Sequence, residues 1–242
     1  MRLVLIGYGR MGRLVEELSS SYGFEVADRL DIDDNASGEG ITAERLRGVD
    51  VAIDFSVASA VAQNLPRVAA LGINLVVGTT GWQADEADLK QVAVDAGIGV
   101  VAAPNFSLGV NLFQATVEHA AGLFQRHDYG TWVHELHHAA KQDAPSGTAL
   151  ALIDIMKRAG YGPAIDVVSN RAGSNPGVHT VGFDGPSDTV TLTHTTRDRA
   201  TFARGALEAA LWIHGKRGWF TMRDVLGLEK TREELSRPSK RR

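Results

Sequence analysis

The stretch that decides the fold is at the N-terminus and reads Leu3-Val4-Leu5-Ile6-Gly7-Tyr8-Gly9-Arg10-Met11-Gly12. A short apolar run leads directly into the pattern G-x-G-x-x-G, and a helical stretch, MGRLVEELSS (11–20), follows. With 26 glycines in 242 residues the pattern alone is weak, but its place between a strand and a helix is typical of a dinucleotide-binding turn. The first glycine permits the turn, the second lets the backbone approach a pyrophosphate, and the third allows helix and strand to pack closely.

Apolar runs of four or five residues recur along the first hundred residues, and helical stretches such as 84–95 separate several of them. Short continuous apolar strands that alternate with helices predict a parallel sheet covered on both faces. We therefore expect an α/β fold with a Rossmann-type, doubly wound parallel sheet. The predicted strands are Leu3–Ile6, Phe24–Ala27, Val49–Ile53, Ile73–Val77 and Ile98–Ala102.

The pattern changes after Pro104. The sequence there predicts two helices, 111–125 and 146–159, and strands at 131–136, 177–183 and 189–194, which together indicate an α+β unit with an antiparallel sheet. An apolar helix at 202–214 then follows. We therefore predict a discontinuous dinucleotide-binding domain, 1–104 with 197–242, and an inserted domain, 105–196.

Composition excludes several classes of protein. The chain has no cysteine, which excludes disulfides, thiolate nucleophiles and cysteine-ligated metals. The net charge is -4 although the last fourteen residues carry six Lys and Arg, so the remainder is acidic and a nucleic-acid partner is not expected. The apolar runs are too short for a membrane span and the N-terminus lacks a cleavage site, which predicts a cytoplasmic protein without a membrane partner.

The glycine motif makes Gly7, Tyr8, Gly9, Arg10, Met11 and Gly12 candidates for cofactor binding. An acid about 20 residues further on is expected to bind the adenosine ribose. Asp31 lies 19 residues after Gly12 and is the favoured candidate, with Asp28 as the alternative. Because a carboxylate would repel a 2′-phosphate, NADH is expected to be preferred, with NADPH as the second possibility through Arg10 or Arg29.

The densest chemistry lies between His134 and Thr148, in the sequence HELHHAAKQDAPSGT. His134, Glu135 and His138 formally match H-E-x-x-H, a zinc signature that requires a helix. The preceding aromatic and β-branched residues favour a strand, along which two residues four apart are about 13 Å apart. That separation is too long for two ligands of one ion, so no metal is expected.

The same segment fits an anion and proton-transfer site. His137, His138 and Lys141 would face Ser146-Gly147-Thr148, whose N–H groups and hydroxyls at a helix start form an anion cradle. This arrangement suits a dicarboxylate, and a histidine can deliver a proton during reduction.

The chain resembles the 4-hydroxy-tetrahydrodipicolinate reductase family, also called dihydrodipicolinate reductase, of bacterial lysine and diaminopimelate synthesis. The resemblance rests mainly on ELHHAAKQDAPSGTA (135–149). Agreement elsewhere covers most of residues 1–228 and includes Gly7–Gly12, DFS (54–56), GTTG (78–81), PNFSLGVN (104–111) and WIHGKRGWFTMRDVL (212–226).

The resemblance implies NAD(P)H-dependent reduction of a small cyclic dicarboxylate. His137 would be the proton donor and Lys141 would assist it and bind a substrate carboxylate. His138 with Ser146, Gly147 and Thr148 would hold the substrate. Residues lining the nicotinamide end would be Gly78, Thr79, Thr80, Pro104, Asn105 and Phe106. The inserted domain would bind substrate and form the interface of a homotetramer.

The residues alone leave two other hypotheses about function open. The chain could be a related two-domain dehydrogenase of another small dicarboxylate, or a nucleotide-sensing regulator without catalysis. The H-H-x-x-K and S-G-T pair argues against the first, and retention of both His137 and Lys141 argues against the second.

Overall fold

A computed structural model describes residues 1–162 and 165–228, so the basic segment 229–242 lies outside the described residues. The chain divides into two compact units. The first is Met1–Leu108 with the chain from Phe202 onward, and the second is Gly109–Thr201. None of the helices in the described ranges is long and apolar enough to cross a lipid bilayer.

The elements in chain order are β1 (Arg2–Ile6), α1 (Arg10–Ser19), β2 (Glu25–Leu30), α2 (Ile32–Asn35), β3 (Val51–Asp54), α3 (Ala58–Ala70), β4 (Asn74–Val77), α4 (Glu86–Ala96), β5 (Gly99–Ala102), α5 (Leu108–Phe124), β6 (Gly130–His137), α6 (Gly147–Arg158), β7 (Asp166–Arg171), β8 (Val178–Asp184), β9 (Thr189–Thr195), α7 (Ala200–Ile213), β10 (Gly218–Phe220) and α8 (Met222–Val225).

The first unit is built on a six-stranded parallel sheet in the order β10-β5-β4-β3-β1-β2. Successive residues of each strand point to opposite faces. Val4 and Ile6 therefore join a core with α3 and α4, whereas Leu3 and Leu5 join a second core with α1 and α7. The predicted doubly wound sheet is confirmed. The short strand β10 was not predicted.

Helix α7 lies very close to the chain that leaves β5. A Cβ atom on Gly205 would be 1.7 Å from the carbonyl oxygen of Phe106, so no larger residue fits there. The helix buries mostly alanines around this glycine, which keeps its axis near the sheet.

The second unit contains a four-stranded sheet in the order β7-β6-β8-β9. Helices α5 and α6 pack on one face around Val117, Leu152, Val133 and Phe183. The predicted helix after Ser146 is confirmed, with the Ser146 hydroxyl accepting from the Ala149 N–H at 3.2 Å.

The expectation of a purely antiparallel sheet is wrong. β8 pairs antiparallel with β6 and β9, but β7 pairs parallel with β6. The cause is the connection: α6 returns the chain to the same end of the sheet before β7 begins, and such a crossover produces parallel neighbours. Strand β7 itself was not predicted.

Candidate functional site

The glycine turn between β1 and α1 is dictated by close contacts at two of its glycines. Gly7 has a φ of +85°, and a Cβ atom there would be 2.5 Å from the carbonyl oxygen of Phe55. A Cβ atom on Gly12 would be 2.3 Å from the carbonyl oxygen of Gly7. Both glycines are therefore required by the protein's own backbone.

Gly9 differs, because a Cβ atom there would meet no atom of the described residues within 4 Å. Packing within the described part of the chain gives no reason for a glycine at this position. Gly9 is the residue that precedes α1, and the first turn of α1 has neither a side-chain cap nor an acidic residue. Open space above uncapped N–H groups fits the pyrophosphate of a dinucleotide.

Two adjoining grooves follow the carboxyl ends of the parallel strands, and they share Gly9, Phe55, Ser56 and Val57. One extends to Asp31. The other is lined by Arg10, Met11 and Gly78–Thr80. A third pocket, lined by Thr79, Ala103 and Pro104, shares Thr79 with the second groove. Most of the predicted cofactor residues thus lie along one strip of the sheet edge.

The two candidate ribose acids have different surroundings. Asp31 directly follows β2, is exposed, and lines the groove beside Gly7 and Gly9. Asp28 lies within β2 and accepts from the Arg45 Nε at 2.5 Å. The geometry therefore favours Asp31, since only this carboxylate borders the groove.

Three predicted cofactor residues have roles inside the first unit. The hydroxyl of Tyr8 donates to Glu16, and the guanidinium of Arg13 lies 5.5 Å from the Tyr8 ring centre. The ring of Phe106 is only 2% exposed and belongs to the core, while the Asn105 side chain accepts from the Ser107 N–H at 2.9 Å. These side chains shape the loops around the strip.

A fully buried carboxylate, Asp54 at the end of β3, holds the strip together. It accepts hydrogen bonds from the Ser56 N–H at 2.8 Å, from the Thr79 hydroxyl at 3.0 Å and from the Asn64 amide at 3.0 Å. Asn64 in turn accepts from the Asn35 amide at 3.1 Å. One buried network therefore joins the loop at Thr79 to α2, the helix that begins beside Asp31.

Strand β6 carries the histidine-rich segment and alternates strictly between its two faces. Glu135 and His137 face the buried side, and His134 faces the other side, where its Nε2 lies 3.1 Å from the Asn170 amide. The H-E-x-x-H match lies mainly on this strand, as predicted, so His134 and His138 are not brought together by one turn of helix as the zinc signature requires.

His137 is 6% exposed at the end of β6, and its Nδ1 lies 3.5 Å from the Glu135 Oε2. Burial lowers the pKa of His137 below its usual 6.5, and Lys141 and Arg171 lower it further, whereas Glu135 raises it. The neighbouring His179 is also buried, which lowers its pKa to about 4. At neutral pH His179 is therefore uncharged.

The loop after β6 presents the other predicted substrate residues. Lys141 Nζ lies 2.7 Å from Asp143 Oδ1, and His138 is half-buried. Ser146 is buried: its N–H donates to Glu135 at 2.9 Å and its hydroxyl caps α6. The parts of the cradle that reach solvent are therefore Gly147 and Thr148.

Comparison with known proteins identifies the family of the chain. Residues 1–106 match the family model described as dihydrodipicolinate reductase, N-terminus, and residues 109–226 match the model of the C-terminus. The chain belongs to the dihydrodipicolinate reductase family. A relative from Christiangramia forsetii named 4-hydroxy-tetrahydrodipicolinate reductase is 37% identical, over 93% of this chain and 98% of its own. One of the same name from Methanoregula boonei is 36% identical, over 92% and 96%.

Among solved structures, a dipicolinate-bound dihydrodipicolinate reductase from Paenisporosarcina sp. TG-14 has a similar fold. Its TM-score is 0.77 at 21% identity, and the match covers 91% of this chain and 97% of that one. Both the fold class and the family predicted from the sequence are confirmed.

Sequence reasoning missed the partners of the reductase's buried histidines. Glu135 was noted only within the zinc pattern, and Arg171, Ser169 and His179 were not singled out. One signal was available: period-two alternation along β6 places Glu135 on the buried face with His137. The partners on β7 and β8 depend on strand pairing, which the sequence did not reveal.

Glu135, His137 and His179 bring potential ligand atoms within 4.8 Å of one another in the described part of the chain. Glu135 already accepts from Arg171 Nη2 at 2.8 Å and from the Ser169 hydroxyl at 2.7 Å. The guanidinium of Arg171 therefore compensates the charge of this carboxylate.

We expect Thr79→Val to lower the free energy of unfolding by about 2 kcal/mol, because it removes a hydrogen bond to a buried carboxylate without changing the side-chain shape. Thr80→Val is the matched control, since Thr80 is exposed, and it should change stability by less than about 0.5 kcal/mol. Chemical denaturation of the cofactor-free protein measures both. Equal effects would show that the Asp54 network does not hold this loop.

Proposed function

We propose that this reductase converts 4-hydroxy-tetrahydrodipicolinate to tetrahydrodipicolinate in cytoplasmic lysine and diaminopimelate biosynthesis. The observation that carries the proposal is that one chain contains both a dinucleotide strip, in the first unit, and a histidine, lysine and anion cradle, in the second. A bound NAD(P)H supplies hydride, and the substrate takes up that hydride and a proton and releases its hydroxyl as water.

The residues of the first unit bind and orient the cofactor. The uncapped N–H groups of α1 donate to the pyrophosphate, which lies in the open space at Gly9, and Asp31 accepts from the ribose hydroxyls. Gly78 and Thr80 border the nicotinamide end of the strip, where the loop is held by Asp54.

The residues of the second unit bind the dicarboxylate and supply the proton. The N–H groups of Gly147 and Thr148 donate to one carboxylate at the positive end of α6, and His138 and Lys141 bind the other. His137 donates the proton as hydride arrives. Ser146 contributes by holding the head of α6 in place.

We expect His137→Ala and Lys141→Ala to lower kcat/KM by about 10²-fold or more, because a positioned proton donor or charge is removed. His127→Ala, on an exposed loop, is the control and should retain wild-type activity. Cofactor oxidation is followed by absorbance with substrate generated enzymatically. Absence of turnover by the wild type would contradict the reductase function, and would favour the regulator or a dehydrogenase of another dicarboxylate.

We infer that NADH is preferred over NADPH. The residues after β2 are Asp31, Ile32, Asp33 and Asp34. Two guanidiniums beside β2 already have partners: Arg45 lies 2.5 Å from both Asp28 and Asp34, and Arg29 pairs with Glu16. A 2′-phosphate here would therefore face carboxylates and compete with existing ion pairs.

The wild type should use NADH at least about tenfold more efficiently than NADPH, since 1.4 kcal/mol of repulsion already gives that ratio. Asp31→Ala should lower kcat/KM for NADH and thereby lower the ratio of kcat/KM with NADH to kcat/KM with NADPH. Asp33 does not border the groove, so Asp33→Ala should leave this ratio unchanged. A wild-type preference for NADPH would contradict the inference, as would an unchanged ratio in Asp31→Ala.

We also infer a homotetramer formed through the second unit. Helices α5 and α6 pack on one face of the four-stranded sheet, and the opposite face carries Trp132, whose ring lies against Gly182, and Val168, which is 56% exposed. A partly apolar sheet face suits a second copy of the chain.

Sedimentation equilibrium should give four times the chain mass of 25.9 kDa. Val168→Asp should reduce this mass because it places a charge in the interface. Val94→Asp, at a 52% exposed position on α4, should not. A monomeric wild type would contradict the inference.

A further inference from the structure

Glu135 is the most deeply buried charged residue around the proposed proton donor, with no part of its side chain exposed. It lies on β6, two residues before His137, and alternation along the strand puts both side chains on the same face. A carboxylate in such a place is stable only when its oxygens have compensating partners.

One carboxylate oxygen of Glu135 is fully engaged. Oε1 accepts from the Ser146 N–H at 2.9 Å, from the Ser169 hydroxyl at 2.7 Å and from Arg171 Nη2 at 2.8 Å. Burial by itself raises the pKa of Glu135, but these hydrogen bonds outweigh it and hold the pKa at about 2. Glu135 is therefore negatively charged throughout the physiological range.

The other oxygen faces the histidines. Oε2 lies 3.5 Å from the His137 Nδ1 and 3.5 Å from the His179 Nε2. Both the Glu135 Oε2 and the His137 Nδ1 are buried without a hydrogen-bond partner among the residues that the structure describes. Glu135 Oε2, an acceptor, thus faces His137 Nδ1, a nitrogen that can donate. A shift of a few tenths of an ångström would form a hydrogen bond between them.

We propose that Glu135 is a positioning residue of the reaction: Oε1 holds Ser146 at the head of the anion cradle, and Oε2 orients His137 and favours its protonated form. This inference rests on the proposed function, in which His137 donates the proton. According to this inference, Glu135 aligns both the anion cradle of the substrate site and the proton donor, His137.

The charges around His137 have opposite effects on its protonated form, and removing Glu135 would therefore change its pKa in one direction. Arg171 on β7 and Lys141 on the following loop disfavour the imidazolium, whereas Asp143 favours it. His179 on β8 is buried and His194 on β9 is half-buried, and burial lowers the pKa of each. Removing the negative charge of Glu135 leaves Arg171 and Lys141 to act on His137, so its pKa must fall.

The test is an NMR titration of His137 in the full-length protein with ¹³C-labelled histidine, with the resonance assigned from His137→Asn. Glu135→Gln should lower the pKa of His137 by about one unit or more, the size expected for an opposite charge at this distance. The alkaline limb of the pH–rate profile should move to lower pH by a similar amount, because the protonated form is lost earlier as pH rises.

Ser169→Ala is the matched control, since it removes one hydrogen bond to Glu135 without changing any charge. Ser169→Ala should lower the free energy of unfolding. It should change the pKa of His137 by less than about 0.3, because the negative charge of Glu135 is retained. Glu135→Asp keeps the carboxylate one methylene farther away and should give an intermediate pKa, which preserves the test if the glutamine variant does not fold.

An unchanged pKa of His137 in both Glu135 variants, or a rate profile that does not move, would overturn the positioning role. Failure of the proposed function gives a different result: the wild type would not oxidise NADH with the substrate, whatever the titration shows.

Discussion

Each predicted site is organised around a carboxylate that does not reach water: Asp54 in the first unit and Glu135 in the second. A buried carboxylate must be matched by donors, because leaving its oxygens unpaired costs several kcal/mol. In both units one of these donors comes from a loop that carries predicted site residues. Because each carboxylate needs hydrogen-bond donors, it also fixes the position of a loop. Asp54 holds the loop at Thr79, and Glu135 holds the loop at Ser146.

The glycine turn complements this arrangement by keeping the sheet edge open. Gly7 and Gly12 allow backbone to touch backbone, which draws α1 against β1. Gly9 leaves room above the helix start, where the pyrophosphate of the proposed dinucleotide would lie. The same short motif thus supplies close packing on one side and a vacant surface on the other.

Much of this structure could be predicted from the sequence. The parallel sheet was predictable because its inner strands are short apolar runs, and the family was predictable because 135–149 is a long and specific signature. β2 was harder: its strand extends to Leu30, past the predicted end at Ala27. As an edge strand it can carry Asp28 and Arg29, whose charges are compensated by Arg45 and Glu16. The parallel pairing of β7 and the partners of Glu135 depend on long-range strand register, which local patterns do not encode.

The most direct test of this account is a crystal structure of the enzyme grown with NAD⁺ and pyridine-2,6-dicarboxylate. The account predicts the dinucleotide along the strip, with its ribose on Asp31 and its pyrophosphate over Gly9, and a carboxylate on the N–H groups of Gly147 and Thr148. A dinucleotide bound away from Gly9, or a dicarboxylate held by residues outside the His137–Thr148 segment, would contradict it.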